Sequence, residues 1–215
     1  MKRYVAVWMV LLLWSCLPAS SATRVWGLYG FGDNIFGSSS GIDTIAAKAR
    51  LIKGVTSVVV RDYWQTGEVA SEIMAVPATD RIVIYGYSCG LNSATAIAAG
   101  VARTVNTVTG IQQSLWCGGT PLQANVDYGQ STYGGCIRTF GLGCKQLKGG
   151  PGFHGSIVNI RRPDGHGYAD NDPDAQADVL FAIAETARGN GSHHLHVGHV
   201  RSGAQEIHRG FGERL

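Results

Sequence analysis

The sequence predicts an α/β fold in which a mostly parallel sheet carries helices on both faces. Strand-like segments rich in Val and Ile alternate with helix-like segments at least three times, which favours parallel strands joined by right-handed crossovers. The 215 residues are 45% hydrophobic and only 15% charged. That length and composition are typical of one globular domain and exclude a disordered, highly charged chain.

The predicted strands are short segments in which β-branched and aromatic residues dominate. They cover residues 25–31, 55–63, 81–88, 104–111 and 155–162. The first runs into a loop at Gly32-Asp33-Asn34, and the third is apolar almost throughout, so it is expected to be buried. Residues 112–152 are rich in Gly, Cys, Tyr and Gln and show little periodicity, so we expect an irregular insert there.

The predicted helices have apolar residues at helical spacing and recognisable ends. They cover residues 41–53, 69–75, 91–103 and 172–189. Gly54 closes the first helix and Pro77 stops the second, while the third is built from small residues. The fourth begins with acidic residues and has Arg188 near its end, which suits the helix dipole.

The two ends of the chain differ from this pattern. Residues 1–22 have a basic start, an apolar run and then small residues, which is the pattern of a secretory signal peptide with its cleavage site expected after Ala22. A retained N-terminal anchor is the alternative, although the run is shorter than the roughly 20 residues of a spanning helix. We therefore expect a periplasmic or secreted domain over 23–189. Residues 190–215 are rich in Gly and His and predict a flexible tail.

Charge and composition exclude several kinds of partner. Losing Lys2 and Arg3 with the signal lowers the net charge from +3 to +1, and the basic residues are scattered, so no nucleic-acid partner is expected. No segment after the signal is long and apolar enough to span a bilayer. The tail holds a His cluster at 193–199 without an accompanying acid or Cys, so we expect neither a metal nor another cofactor. The oligomeric state is left open.

The candidate chemistry lies in Gly86-Tyr87-Ser88-Cys89-Gly90, which matches G-x-S-x-G between a predicted strand and a predicted helix. A nucleophilic Ser88 would occupy a sharp, strained turn, with glycines on both sides removing side chains that would clash. A helix beginning at Cys89 would aim backbone N–H groups at a developing oxyanion. The alternative is a plain strand-to-helix turn.

At this motif the chain resembles the α/β-hydrolase superfamily, and within it small bacterial and phage-associated lipase-like or thioesterase-like proteins. Gly41-Ile42-Asp43, Asp62-Tyr63-Trp64, the 155–160 strand and the Gly165-His166-x-x-x-Asp170 loop carry the rest of the resemblance, over about 25–188. It implies a three-layer α/β-hydrolase-like sandwich, small and with little or no lid. It also implies the triad order Ser, acid, His, with the His on a loop after the last strand.

His166 fits the place of the base, whereas His154 precedes the same strand and belongs to the opposite end of the sheet. The acid is harder to assign. The strand after the nucleophile helix ends in Gln112, where the resembling proteins have Asp, and a Gln can orient the imidazole but cannot offset its positive charge. Asp127 in the insert is an alternative acid, and Asp62 would lie at the right edge of the sheet but out of order.

The oxyanion donors implied by the resemblance are the backbone N–H groups of Cys89 and of Phe31, which lies in the loop after the first strand. Cys16 leaves with the signal, and export places the remaining thiols in an oxidising compartment. We expect Cys89 to be a buried, unpaired side chain under the turn. One bridge within the insert is then expected, either Cys136–Cys144 or Cys117–Cys136.

The sequence thus predicts an exported serine hydrolase that cleaves a small-molecule ester or thioester through an acyl-enzyme on Ser88, with His166 as base. The competing prediction is a weak or inactive binding protein on the same scaffold, because the strand-end acid is missing.

Overall fold

The computed structural model describes residues 21–33, 41–134, 145–162 and 166–190, without the side chains of 166–168. Residues 1–20 of the predicted signal segment and residues 191–215 of the predicted tail lie outside the described residues, as do Cys136 and Cys144. In the part of the chain that is described, no helix combines the length and the apolar character that crossing a bilayer requires.

Six parallel strands form the centre of the domain. They are β1 (Thr23–Leu28), β2 (Val55–Arg61), β3 (Arg81–Tyr87), β4 (Val105–Ile111), β5 (Val126–Tyr133) and β6 (Ser156–Arg161). Their order in the sheet is β2-β1-β3-β4-β5-β6, and each neighbouring pair is parallel. The carboxyl ends of all six strands therefore meet at one edge of the sheet.

Within the described residues, four α-helices cover the two faces of this sheet. They are α1 (Gly41–Ala49), α2 (Thr66–Ala75), α3 (Cys89–Gly100) and α4 (Pro173–Arg188). Alternate residues of β3 separate the two halves of the core: Ile82 and Ile84 pack with α2 and α3, whereas Val83 and Tyr85 pack with α1 and α4. The predicted three-layer architecture with a parallel sheet is confirmed.

Helix α4 shows how local sequence fixes an element. Asp172 is its N-cap, accepting hydrogen bonds from the backbone N–H groups of Asp174 and Ala175 at 3.1 and 3.2 Å. Pro173 occupies the first helical position, and Gly189 ends the helix at φ 80°. These caps define the two ends of α4, which follows the 3₁₀ helix His166–Asn171 and packs on the sheet through its buried apolar residues.

The sequence interpretation of residues 112–152 as an irregular insert needs correction. Residues 126–133 form β5, which is paired on both sides and almost wholly buried. Several of its buried side chains are polar and hydrogen-bonded: Tyr128 donates to Gln130 Oε1 at 2.8 Å, and Gln130 Nε2 donates to the Asp178 carbonyl at 2.7 Å. Hydrogen-bonded polar residues can fill a buried strand without an apolar pattern.

Candidate active site

Ser88 lies in the turn between β3 and α3, at the carboxyl edge of the sheet. Its backbone has φ 53° and ψ −120°, a conformation that costs a residue with a side chain of order 1–3 kcal/mol. Ser88 is only 6% exposed, and its N–H donates to the Ile111 carbonyl at 3.0 Å. The predicted strand–turn–helix context of the motif is present, and the turn is strained as a nucleophile elbow requires.

The two glycines of the motif allow this turn to form. A Cβ at Gly86 would lie 2.4 Å from the Gly90 carbonyl carbon, and a Cβ at Gly90 would lie 2.2 Å from the Leu28 carbonyl oxygen. Each contact is far shorter than non-bonded atoms tolerate, and each is with backbone. The elbow therefore packs directly on itself and on the end of β1.

The position of Ser88 in the sheet is the place where ligands bind in open α/β folds. The strand order reverses between β1 and β3, because the chain moves outward to β2 and then returns to the other side of β1. Loops leaving β1 and β3 diverge at such a switch point and leave a crevice. The loop after β1 reaches Ser88: a Cβ at Gly30 would lie 3.2 Å from Ser88 Cβ.

Phe31, the predicted second oxyanion donor, lies in this loop. Its ring is 70% exposed and contacts the Tyr63 ring, with centroids 6.0 Å apart. The neighbouring Gly30 N–H donates to Asp33 Oδ2 at 2.7 Å, which fixes the turn beside Ser88. On the opposite side, Cys89 begins α3, and the first N–H groups of a helix have no acceptors within it.

Gln112 follows β4 and is a direct neighbour of the Ser88 turn. Tyr87 and Ile111 are paired across β3 and β4, so Ser88 and Gln112 are the next residues along the two strands. Gln112 is 1% exposed and has φ 48°. In the part of the chain that the structure describes, Ser88 and Gln112 are the two residues other than glycine with positive φ. Strained backbone therefore concentrates at this point of the sheet edge.

The alternative acid, Asp127, does not lie at this site, and that suggestion is wrong. It is the second residue of β5, and its carboxylate accepts a hydrogen bond from Asn106 Nδ2 near the start of β4 at 2.9 Å. Strands of this length separate their two ends by roughly 20 Å, since each residue rises about 3.3 Å. Asp62 follows β2 at the correct edge, but β1 separates that strand from β3.

His166 is the first residue of the 3₁₀ helix that follows β6, and its side chain lies outside the described residues. The loop position expected for the base, after the last strand and before the final helix, is therefore the position it occupies along the chain. His154 is exposed and precedes β6, at the edge of the sheet away from Ser88.

Two buried carboxyl groups that we did not assign from the sequence lie at the same edge. Asp33, after β1, is 8% exposed, and Asp170, at the end of the 3₁₀ helix, is 1% exposed. Burial is the main cause that raises the pKa of Asp33 to about 6, the hydrogen bond from Gly30 opposes it, and the charge of Asp170 adds to it. Burial and these two carboxylates also raise the pKa of Tyr87. In the sequence, the spacing of His166 and Asp170 in the loop after the last strand was the feature that could have pointed to Asp170.

The cysteine prediction also needs correction, because Cys89 forms a disulfide with Cys117. A Cys117–Cys136 bridge is thereby excluded, while Cys136 and Cys144 lie outside the described residues. The bridge ties the start of α3 to the loop after β4. Asn92 holds the same loop, donating to the carbonyls of Ser114 and Gly118 and accepting from the Ser114 N–H at 3.0 Å. This loop therefore has a fixed position beside Ser88.

Comparisons with known proteins do not assign this chain to a family. No protein-family model matches the sequence, and no curated protein matches it. A similar solved structure is the crystal structure of "a putative hydrolase of the alpha/beta superfamily" from Xanthomonas campestris pv. campestris. It is 12% identical, the alignment covers 79% of this chain and 99% of that one, and the TM-score is 0.47. Likeness of this degree carries no information about catalytic residues.

Proposed function

We propose that the protein is an exported serine hydrolase that cleaves an ester or thioester through an acyl-enzyme on Ser88. The observation that carries the proposal is the strained, nearly buried Ser88 turn, packed by glycines between a central strand and a helix. A turn that served only to join β3 to α3 would not need this backbone conformation or these contacts. Strain of this kind persists where function requires it.

The reaction begins when Ser88 Oγ attacks the carbonyl carbon of the substrate. The O–H proton passes to the imidazole of His166, the new C–O bond forms, and the carbonyl electron pair moves onto oxygen. The N–H groups of Cys89 and Phe31 hold that oxyanion. Collapse expels the alcohol or thiol, which takes the proton from the imidazolium. Water then attacks the acyl-enzyme by the same sequence and releases the acid.

The disulfide supports the export part of the proposal. Disulfides form and persist in oxidising compartments. The Cys89–Cys117 disulfide lies at the candidate site. Secretion through the 1–22 segment would deliver the chain to such a compartment.

A second candidate function is a binding protein that retains the scaffold with little or no turnover. It is favoured by Gln112, which occupies the strand end where a triad acid would lie. Replacing the triad acid by an amide costs about 10⁴ in rate in a well-studied protease. The two functions differ in whether Ser88 becomes covalently acylated.

The test is turnover of p-nitrophenyl esters and acyl thioesters of increasing chain length by the wild type and two variants. Ser88→Ala removes the nucleophile, and we expect it to abolish turnover. Ser71→Ala is the matched control, because Ser71 is an exposed residue of α2 whose Oγ donates to the Gly67 carbonyl of the same helix at 2.9 Å. Hydrolysis that Ser88→Ala leaves undiminished would refute the proposal.

A further inference from the structure

A small cavity lies beside the loop that follows β4, and the mechanism above does not use it. Its volume is about 110 Å³, and its wall includes Gln113, Gly119, Pro121, Lys145 and Leu147. One water molecule needs roughly 10–15 Å³ of such space. The cavity therefore has room for a small ligand as well as for water.

The side-chain amide of Gln113 is in the wall of this cavity and has no partner in the protein. Gln113 is only 2% exposed, and within the described residues its amide makes no hydrogen bond. Buried polar groups are nearly always hydrogen-bonded. The amide of Gln113 therefore takes its partner from whatever enters the cavity.

Two other nitrogen groups gather with this amide around Gly119, which has no side chain. A Cβ at Gly119 would lie 2.8 Å from Gln113 Nε2, 2.9 Å from Asn92 Nδ2 and 3.2 Å from Lys145 Nζ. Gln113 and Lys145 are also opposite each other in an antiparallel bridge, which places their side chains on the same face. Donors from separate segments thus converge at one wall of the cavity.

The charge at the cavity is positive and lacks a counter-charge. Lys145 donates one N–H to the Gly118 carbonyl at 2.6 Å, and an ammonium has two more to donate. Burial and the charge of Lys148, which also lines the cavity, lower the pKa of Lys145. No acidic residue is in the described wall, and neither lysine forms an ion pair with a described residue. An anion would relieve this positive charge.

The cavity is close to the candidate nucleophile. Gln113 follows Gln112, the direct neighbour of the Ser88 turn across β3 and β4. Adjacent strands lie about 4.8 Å apart and one residue adds about 3.3 Å, so the Gln113 amide is within roughly 10 Å of Ser88. A substrate of moderate length can therefore reach both places at once.

We propose that this cavity is a subsite for an anionic group of the substrate, a carboxylate or a phosphate. This inference rests on the proposed function, since it places the group to be cleaved at Ser88. Gln113 Nε2 and Lys145 Nζ donate to the oxygens of the anion. Hydrogen bonds to an ionised acceptor are about twice as strong as neutral ones, and the lysine charge adds to them.

The first test measures binding and does not depend on turnover. Folded wild type is titrated with sodium acetate and with sodium phosphate at constant ionic strength, using isothermal titration calorimetry with sodium chloride as the baseline. We expect one site, whose affinity falls at least 10-fold in Gln113→Leu and in Lys145→Met. The two titrations show which of the anions is preferred.

Two features of these variants make the result interpretable. Gln113→Leu should be at least as stable as the wild type, because it removes an amide that has no partner in the protein. Lys53→Met is the matched control for lost charge, since Lys53 is exposed and precedes β2 at the opposite edge of the sheet. Its anion affinity should equal that of the wild type.

The second test measures selectivity in turnover. One series of esters carries a carboxylate on the acyl chain and another carries it on the alcohol, each paired with neutral esters of equal length. In one of the two series we expect wild-type kcat/KM to be at least 10-fold higher for the anionic ester at the best length. This ratio should fall toward one in Gln113→Leu and Lys145→Met and persist in Lys53→Met.

The outcomes separate this inference from the proposed function. Absence of anion binding by the wild type, or binding that both cavity variants retain, would overturn the subsite. Binding that the variants lose, together with ester turnover that shows no preference for anionic esters, would overturn the assignment to a substrate and leave the serine mechanism standing. Binding that the variants lose, in a protein that turns over no ester, would refute the proposed function and leave only an anion site.

Discussion

Substituting Gly90 by Ala tests whether the elbow packs as closely as the structure shows. The added Cβ would lie 2.2 Å from the Leu28 carbonyl oxygen and 2.6 Å from the Tyr29 carbonyl oxygen. Both are backbone atoms at the end of β1, and β1 is held between β2 and β3. The first turn of α3 must therefore move away from β1.

The magnitude follows from two opposing effects. Overpacking costs typically 1–3 kcal/mol, and contacts this short with backbone place Gly90→Ala at the upper end. Replacing a helical Gly by Ala returns up to about 1 kcal/mol. We therefore expect a net loss of about 2 kcal/mol in the free energy of unfolding, or roughly 4–8 °C in melting temperature for a domain of this size.

Gly100→Ala provides the matched control in the same helix. Gly100 is the last residue of α3, and a Cβ there would meet nothing within 4 Å. It should therefore gain between zero and about 1 kcal/mol from helix propensity. Urea unfolding with the disulfide intact measures both variants. If Gly90→Ala matched or exceeded the stability of the wild type, the close packing of the elbow on β1 would be refuted.

Three further predictions concern the surroundings of the site. Replacing Cys89 and Cys117 by Ala should lower the free energy of unfolding by about 3–4 kcal/mol, from the 28-residue separation of the bridge, and thermal unfolding checks this. Because burial raises the pKa of Asp33 from 3.8 to about 6, the wild type should lose stability as pH rises through that window. Asp33→Asn should therefore be the more stable protein at pH 7 and no more stable near pH 3, which urea unfolding at both pH values measures; equal stability at pH 7 would contradict the assignment. Arg103 donates to the carbonyls of Ile73, Val76, Pro77 and Asp80, at 2.9 to 3.1 Å. Arg103→Lys should therefore cost about 2 kcal/mol in urea unfolding, because one ammonium cannot reproduce the planar set of donors.

The elements with a clear period or clear ends could be predicted from the sequence. Strand β3 is apolar and β-branched, and α4 carries an Asp cap, a Pro at its first position and a closing Gly. These features depend on neighbouring residues, so local patterns reveal them. Strand β5 could not be found in this way, because Gln130 and Ser131 are buried through hydrogen bonds to residues far along the chain. Polarity alone made this strand resemble a loop.

The candidate site also contains some features that local sequence patterns predict and others that they do not. The turn at Ser88 has a local signature, the G-x-S-x-G motif. The clashes that its two glycines avoid would be with backbone atoms of the motif itself and of the end of β1. The Cys89–Cys117 bridge and the approach of Asp33 to Asp170 depend on how the sheet order brings separate loops together. No spacing rule in the sequence reveals which of several loop carboxyls becomes buried.

The most direct test of the central claim is covalent trapping of Ser88. The folded wild type is treated with a fluorophosphonate probe, and the adduct is located by peptide mass spectrometry. We predict one adduct, on Ser88, that is lost in Ser88→Ala and in urea-unfolded wild type but retained in Ser71→Ala. Folded wild type that remains unlabelled, or that is labelled equally after unfolding, would contradict an activated serine in this turn.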